Sequence, residues 1–209
     1  MEEKIEQHKE MTAEESLSLI TETLNNSRKE ILRGSAKYYV LWGALLILFS
    51  LAVYILWKGT GHAYWNNLWF VMPLVGSPLA SRMDHKEGGV RSENVISRIS
   101  GGIWGTFGIF ACSVAVFHLL FSFINTNPVG AIAVGTSLSA QIILLFGMAE
   151  AISGVALKNL TIKIAGFLTG VGGLALYYSI GLNEEQMFLF TFAGLVLLVT
   201  GLLVKRQYR

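Results

Sequence analysis

The chain has 209 residues, of which 53% are apolar and 14% charged, whereas about 25% of the residues in an ordinary soluble domain are charged. The formal net charge of +2 is too small to indicate nucleic acid as a partner. The single cysteine, Cys112, lies in an apolar run, so the sequence offers no disulfide framework and no metal site of paired thiolates. This composition predicts an all-α membrane protein whose main partner is the lipid bilayer.

Residues 1–37 are polar and predict a cytosolic segment with an amphipathic helix at about residues 12–34. Thr12 and Glu15 have the spacing of a capping box, which marks a helix start. A secretory signal would place an apolar run directly after a short basic region, so no cleaved segment is expected. Apolar residues recur along the helix at steps of three and four and form a narrow stripe that predicts a docking surface. The members of this stripe are Leu17, Ile20, Leu24 and Ile31.

Such a stripe must cover another apolar surface, and three roles stay open. It could pair with a second copy of the chain as a short coiled coil, although two heptads are few for a stable one. The basic residues between the stripe and the first apolar run favour the bilayer surface without requiring it. The third role is docking on the cytosolic loops or on a protein partner.

Six apolar runs predict six transmembrane helices, arranged as three hairpins that each run in, out and in. About twenty residues are needed to cross the hydrocarbon core. The second run is short, and Pro73 and Pro78 predict an interrupted helix there. A basic cytosolic tail, residues 205–209, ends the chain. The predicted spans are residues 38–57, 67–80, 99–124, 128–157, 162–180 and 187–204.

The distribution of lysine and arginine predicts that both termini are cytosolic. With the N-terminus inside, fifteen of the sixteen basic residues fall on the cytosolic side, and Lys58 is the exception. This asymmetry is typical of the positive-inside rule.

Glycines spaced by four residues predict close contacts between helices, or between subunits of a homo-oligomer. These are Gly101 with Gly105, and Gly166 with Gly170. A tight helix bundle is therefore favoured over a wide lumen.

The fourth span carries two polar residues, Gln141 and Glu150. Nine residues at 100° each place them on opposite faces of a helix. Glu150 shares its face with Thr136 and Ser139 and forms with them a candidate intramembrane polar site, to which the prolines of the second span, Pro73 and Pro78, are added. Gln141 lies on an apolar face and predicts a second helix contact or a subunit interface.

Glu150 has two interpretations. As a functional group it would be an ion or proton site, or a latch to a basic side chain. The favoured interpretation is positional: Glu150 lies at the cytosolic interface and pairs or extends into water there.

The sequence lacks the nucleophile, paired-carboxylate, phosphate-binding and zinc-protease motifs of enzymes. We therefore expect no enzymatic activity, no catalytic residue, no cofactor and no metal.

Three short segments are distinctive: residues 11–17 (MTAEESL), residues 39–43 (YVLWG) and residues 152–154 (ISG). With these segments the chain resembles a group of small uncharacterised multi-pass proteins of bacterial inner membranes. The resemblance implies location in the inner membrane and a multi-pass topology, and it brings no established activity.

Two functions are expected from these features. The first is a non-enzymatic accessory or regulatory component that contacts a cytosolic or membrane partner. The alternative is a small oligomeric transporter or channel that uses the proline-containing second span and Glu150.

Overall fold

The computed structural model describes residues 12–86, 95–124, 128–180 and 183–208, and these are helical apart from short turns. The structure does not describe residues 1–11, residues 87–94 in the loop before the third span, residues 125–127 in the next turn, residues 181–182 or residue 209. Helices α4 and α5 are separated by a turn at residues 157–159, and a π-helical turn, Leu168–Gly172, joins α5 to α6. The helices are α1 (Ala13–Thr60), α2 (Leu68–Lys86), α3 (Val95–Ile124), α4 (Pro128–Ala156), α5 (Leu160–Phe167), α6 (Gly173–Tyr177) and α7 (Met187–Gln207).

Five helical stretches in the described residues are long and apolar enough to cross a membrane. Many of their large apolar side chains point outward; Ile109, for example, is 70% exposed. Soluble monomers rarely expose contiguous apolar surfaces of this kind, so the fold is compatible with a membrane protein. The stretches are Ala13–Thr60, Val95–Phe117, Leu138–Ala156, Leu160–Tyr177 and Glu184–Gln207.

Helix α1 is a single helix of 48 residues. Its first turn is closed by the capping box, in which the Glu15 N–H donates to Thr12 Oγ1 at 3.2 Å and the Thr12 N–H donates to the Glu15 carboxylate at 2.9 Å. The sequence predicted a separate amphipathic helix ahead of the first span, but the two are continuous. Gly34 is the one weak helix former among the residues that link the two parts, and a glycine in a helix interior is about 1 kcal/mol less favourable than an alanine.

The predicted interruption of the second span is wrong, because α2 runs through both Pro73 and Pro78 without a break. Proline fixes φ near −65°, which a helix accepts, and the cost is one lost backbone donor at each proline. Both prolines are exposed, while Gly76 packs against the Trp42 ring of α1. The α2 run is not among the five apolar stretches, because its uncharged part covers only about 20 Å.

The first and last helices pack closely and antiparallel along what we call the α1–α7 seam. A Cβ added at Gly43 would lie 2.7 Å from the backbone nitrogen of Leu198, and one at Gly201 would lie 2.8 Å from the backbone nitrogen of Val40. Further along the seam, the hydroxyl groups of Ser50 and Thr191 form a hydrogen bond at 2.8 Å. Glycine thus permits direct backbone contact between helices that are far apart in sequence.

A second close contact, the α4–α5 seam, extends from the turn at residues 157–159. Glycines on α4 meet the backbone of the returning helix, so that an added Cβ would overlap it. The contacts pair Gly147 with Gly170, Ala151 with Gly166, and Gly154 with Lys163. Gly166 and Gly170, predicted to lie at a helix interface, are placed in this seam.

The turn at residues 157–159, the C-terminus of α7 and the middle of α1 meet at one end of the bundle, which we call the turn end. Buried Asn159 accepts the Ile162 N–H at 3.0 Å as the N-cap of α5 and donates to Gln207 at 3.3 Å. Arg28 of α1 donates to the Ala156 carbonyl at 3.4 Å. The apolar core beside them contains Ile31, Leu32, Ala36, Tyr39, Leu46, Ile96, Leu157, Ile162, Leu197 and Val204.

Helix α3 packs on α4 through three aromatic rings, Trp104, Phe107 and Phe146, whose centroids lie 5.5 to 5.8 Å apart. Gly101 and Gly105 do not take part in this contact. A Cβ added at either glycine would have no neighbour within 4 Å in the described structure. Among the described residues these two glycines therefore have no close helix contact, and a role at a subunit interface stays a prediction.

The contrast between the glycines predicts opposite effects of the same substitution. Gly166→Ala should lower the free energy of unfolding by about 1–3 kcal/mol, because its methyl group overlaps the α4 backbone. The matched Gly105→Ala should be neutral or stabilise by about 0.5–1 kcal/mol through helix propensity. Denaturant titrations of the purified protein in detergent measure both values, and equal destabilisation would contradict the seam.

Candidate functional site

Glu150 lies on the face of α4 that forms the α4–α5 seam. Its neighbours on that face, Gly147 and Gly154, bring the α5 backbone close enough to exclude water. The Glu150 side chain is completely buried, with an exposed fraction of 0%. The sequence favoured a position at the cytosolic interface where the carboxylate pairs or extends into water, and complete burial within the protein shows that the carboxylate does not extend into water.

The two carboxyl oxygens of Glu150 have different surroundings. Oε2 accepts a hydrogen bond from the Thr169 hydroxyl at 3.2 Å. Oε1 is buried and has no hydrogen-bond partner among the described residues. A buried polar atom without a partner is rare in folded proteins, because no hydrogen bond replaces the ones that it made to water. The other such atom in the described part of the chain is Glu185 Oε2, at the opposite end of the bundle.

Thr169 belongs to the π-helical turn between α5 and α6. Single π turns insert one extra residue into a helix and recur at functional sites. Here the turn includes Gly170, which contacts Gly147 of α4, so the backbone of the turn packs on α4 close to Glu150. The Thr169 hydroxyl is fully buried and directed at the carboxyl group.

The surroundings of Glu150 contain no compensating positive charge among the described residues. Tyr39 of α1 lies within electrostatic range of the carboxyl group, and a phenol carries no positive charge. Lys163 of α5 is exposed and lies near Gly154, one turn closer to the turn end. The site is therefore a single carboxyl group with a threonine hydroxyl and a tyrosine nearby.

The structure does not assemble the rest of the predicted polar site. Ser139 is half-buried on α4, three turns from Glu150, and the side chain of Thr136 lies outside the described part. Pro73 and Pro78 are exposed on α2, whose main contacts are with α1. Among the described members of the predicted set, Glu150 is the one that the structure places in a buried polar site.

Gln141 is exposed on α4, on the side away from the α4–α5 seam. This position agrees with the helical geometry that separates Gln141 from Glu150. The two side chains do not share a site.

Sequence reasoning missed Thr169 and Tyr39. For Thr169 a signal was present, because the short turn at residues 157–159 makes the flanking helices an antiparallel hairpin. Small residues at matching distances from that turn then fix the register, and the register places Thr169 near Glu150. Nothing comparable links Tyr39 to Glu150, because they are more than a hundred residues apart.

The arrangement can exchange a proton or accept a hydrogen bond, and it offers little else chemically. No group of three or more His, Cys, Asp or Glu side chains suited to a metal ion occurs in the described residues. Glu150 has no acidic or histidine neighbour there with which to share general acid and base roles.

The Thr169 hydrogen bond predicts a specific stability effect. Thr169→Val keeps the shape of the side chain but removes the donor to Oε2, so the free energy of unfolding should fall by about 1–3 kcal/mol. Thr200→Val is the matched control, because Thr200 is also buried and has no hydrogen bond to a carboxylate among the described contacts. Unfolding in detergent measures both variants, and losses of equal size would show that the bond to Glu150 contributes nothing.

No family model, curated protein or solved structure matches the chain. A role for the protein is therefore inferred from its own residues. The two features that need an explanation are the buried carboxyl group of Glu150 and the exposed apolar positions near the start of α1.

Proposed function

We propose that this protein is a non-enzymatic, multi-pass component of the bacterial inner membrane that has an accessory or regulatory role and contacts a protein partner through the N-terminal part of α1. The observation that carries this proposal is the length of α1 together with exposed apolar side chains near its start. Leu17 and Ile20 are 64% and 56% exposed. An apolar stripe at that position needs a surface to cover it.

The proposed topology has six spans with both termini in the cytosol, and the turn end on the cytosolic side. Two features support it. Arg28, Lys158 and Lys205 all lie at the turn end, as the positive-inside rule requires. Helix α2 follows the turn at the opposite end, whereas Ile96 near the start of α3 packs into the core at the turn end, so α2 returns across the bundle.

The continuity of α1 argues against an amphipathic helix lying flat on the bilayer. The first 25 residues of α1 precede Tyr38 and extend for about 37 Å along the helix axis. Transmembrane helices tilt by about 20° on average. Leu17 is therefore carried away from the bilayer surface rather than along it.

The stripe divides into two parts. Ile31 is buried in the core at the turn end, and Leu24 packs partly against that core. Leu17 and Ile20 lie beyond the core and stay exposed. Two such positions are too few for a stable coiled coil between copies of the chain, so a protein partner with an apolar groove is the proposed occupant.

Site-specific photocrosslinking in intact membranes tests this docking surface. A crosslinker at Leu17 or Ile20 should yield one defined adduct, because both side chains face the proposed groove. The matched control is Glu22, which is also exposed and lies about 140° around the helix from Leu17. We expect at least a five-fold weaker adduct from Glu22.

A second variant separates docking from folding. Ile20→Asp should abolish the adduct formed from Leu17, while the bundle keeps its unfolding midpoint because residue 20 lies outside the core. Equal crosslinking from Glu22, or an adduct that survives Ile20→Asp, would count against a docking surface.

The alternative function, a small oligomeric transporter or channel, is favoured by one observation: the buried Oε1 of Glu150 has no partner among the described residues. Intramembrane carboxyl groups often mark ion or proton pathways. The prolines of α2 do not add to this pathway, because α2 packs mainly on α1.

Flux through reconstituted vesicles decides between the two functions. Transport through Glu150 predicts that Glu150→Gln abolishes proton or cation flux, since the amide cannot exchange a proton, and that Glu184→Gln at the opposite end keeps it. The partner function predicts instead that vesicles with wild-type protein leak no faster than empty vesicles. We expect the latter result, measured with a pH-sensitive dye under a fixed pH gradient.

A further inference from the structure

The charged form of a buried carboxyl group is stable only when other groups replace its hydration. For Glu150 the described residues supply one hydrogen bond, the 3.2 Å contact from Thr169 to Oε2, and none to Oε1. An isolated carboxylate without a counter-charge is strongly disfavoured in an apolar interior. Some positively charged species must therefore share the site, or the group must carry a proton.

The helices around Glu150 bring no basic side chain to it in the described structure. On α1 the titratable group that interacts with Glu150 is Tyr39, whereas the Lys37 ammonium group lies over the Tyr38 ring; on α6 the titratable group is Tyr177. On α7 the sequence from Met187 to Val204 contains no titratable side chain. The described basic residues of the other neighbouring helices, Arg98 of α3 and Lys163 of α5, are both exposed.

A metal cation fits the site poorly. Cation sites built from oxygen atoms gather several ligands around a cavity; calcium, for example, takes six to eight. Beside Glu150 the side chains provide the carboxyl group and one hydroxyl, and the backbones of Gly147 and Gly170 are in direct contact. A proton, by contrast, needs a single lone pair and no cavity.

We propose that Glu150 is a proton-binding site, in which Oε1 takes one proton that enters from the turn end. The carboxylate and a hydronium ion react to give a carboxylic acid and water, so the new O–H bond replaces one O–H bond of the hydronium. Thr169 positions the carboxyl group through Oε2 and leaves Oε1 as the basic atom. This inference does not depend on either function proposed above.

Entry from the turn end is the short route. Glu150 lies six residues, or about 9 Å, from the end of α4 at Ala156. Buried polar groups lie between Glu150 and that end: Ser153, one turn along α4, and Asn159 in the turn itself. The Ser153 hydroxyl donates to the Ala149 carbonyl at 2.8 Å, and a hydroxyl oxygen can accept a further hydrogen bond.

Infrared difference spectroscopy of the full-length protein in lipid nanodiscs tests the proposal. Spectra recorded between mildly acidic and alkaline solution should contain the carbonyl band of one protonated carboxylic acid in an apolar environment. The band should shift when glutamate is labelled with ¹³C at the carboxyl carbon, and it should be lost in Glu150→Gln. Glu185→Gln, which changes the other glutamate with a buried carboxyl oxygen that lacks a partner among the described residues, should retain it.

A second variant keeps the test decisive if Glu150→Gln does not fold. Thr169→Val leaves the carboxyl group in place but removes its donor, so the band should persist at a shifted frequency. The proposal would be overturned by a band that survives in folded Glu150→Gln, by one that is unchanged in Thr169→Val, or by the absence of the band from the wild-type protein. A carboxylate band that responds to sodium at constant pH would replace the proton with a metal cation.

The infrared and flux experiments test separate proposals, so proton binding and transport can be rejected independently of each other. A protonated Glu150 in vesicles without flux would support proton binding and reject transport. Flux without the band would reject proton binding at Glu150 and leave transport to another route.

Discussion

Direct backbone contact between helices is the constraint on which this bundle depends. The described chain has five stretches long and apolar enough to cross a membrane, and helices in lipid gain little from burying apolar side chains, so their association relies on close packing. The α1–α7 and α4–α5 seams meet this requirement with glycine. Gly43 and Gly201 allow α1 and α7 to touch, and Gly147 and Gly166 do the same for α4 and α5. The apolar core at the turn end, which contains Ile31, Ile162 and Val204, joins the two seams.

The polar site is a consequence of the same packing. The α4–α5 seam is tight because its residues are small, and small residues leave no room for water around Glu150. The carboxyl group is therefore buried by backbone rather than by bulky side chains. Its desolvation costs stability, which the van der Waals contacts of the glycines and the Thr169 hydrogen bond offset. Packing and chemistry thus depend on one set of contacts.

Local features of the structure could be predicted from the sequence. The capping box at Thr12 and Glu15 follows from spacing alone, and the opposite orientation of Gln141 and Glu150 follows from helical geometry. The helical class of the described chain was also predictable, because apolar runs of this length have few other solutions. These predictions need only neighbouring residues.

Contacts between residues far apart in the chain could not be predicted from the sequence. Nothing in the sequence pairs α1 with α7, because the contact of Gly43 with Leu198 joins residues more than 150 positions apart. The burial of Glu150 depends on which helix covers it, and a hydropathy pattern does not specify this. The continuity of α2 was missed for a different reason: two prolines weaken a helix, but neighbouring contacts such as that of Gly76 with Trp42 can still hold it.

The unbroken α1 helix has a mechanical consequence. Leu17 lies 14 residues before Ile31, which is buried in the core at the turn end, so about 21 Å of helix extends beyond that core. Tilting this part of the helix by about 10° would move Leu17 sideways by about 4 Å. Small changes in helix packing inside the bundle are thus amplified into a displacement as wide as a side chain at the distant tip.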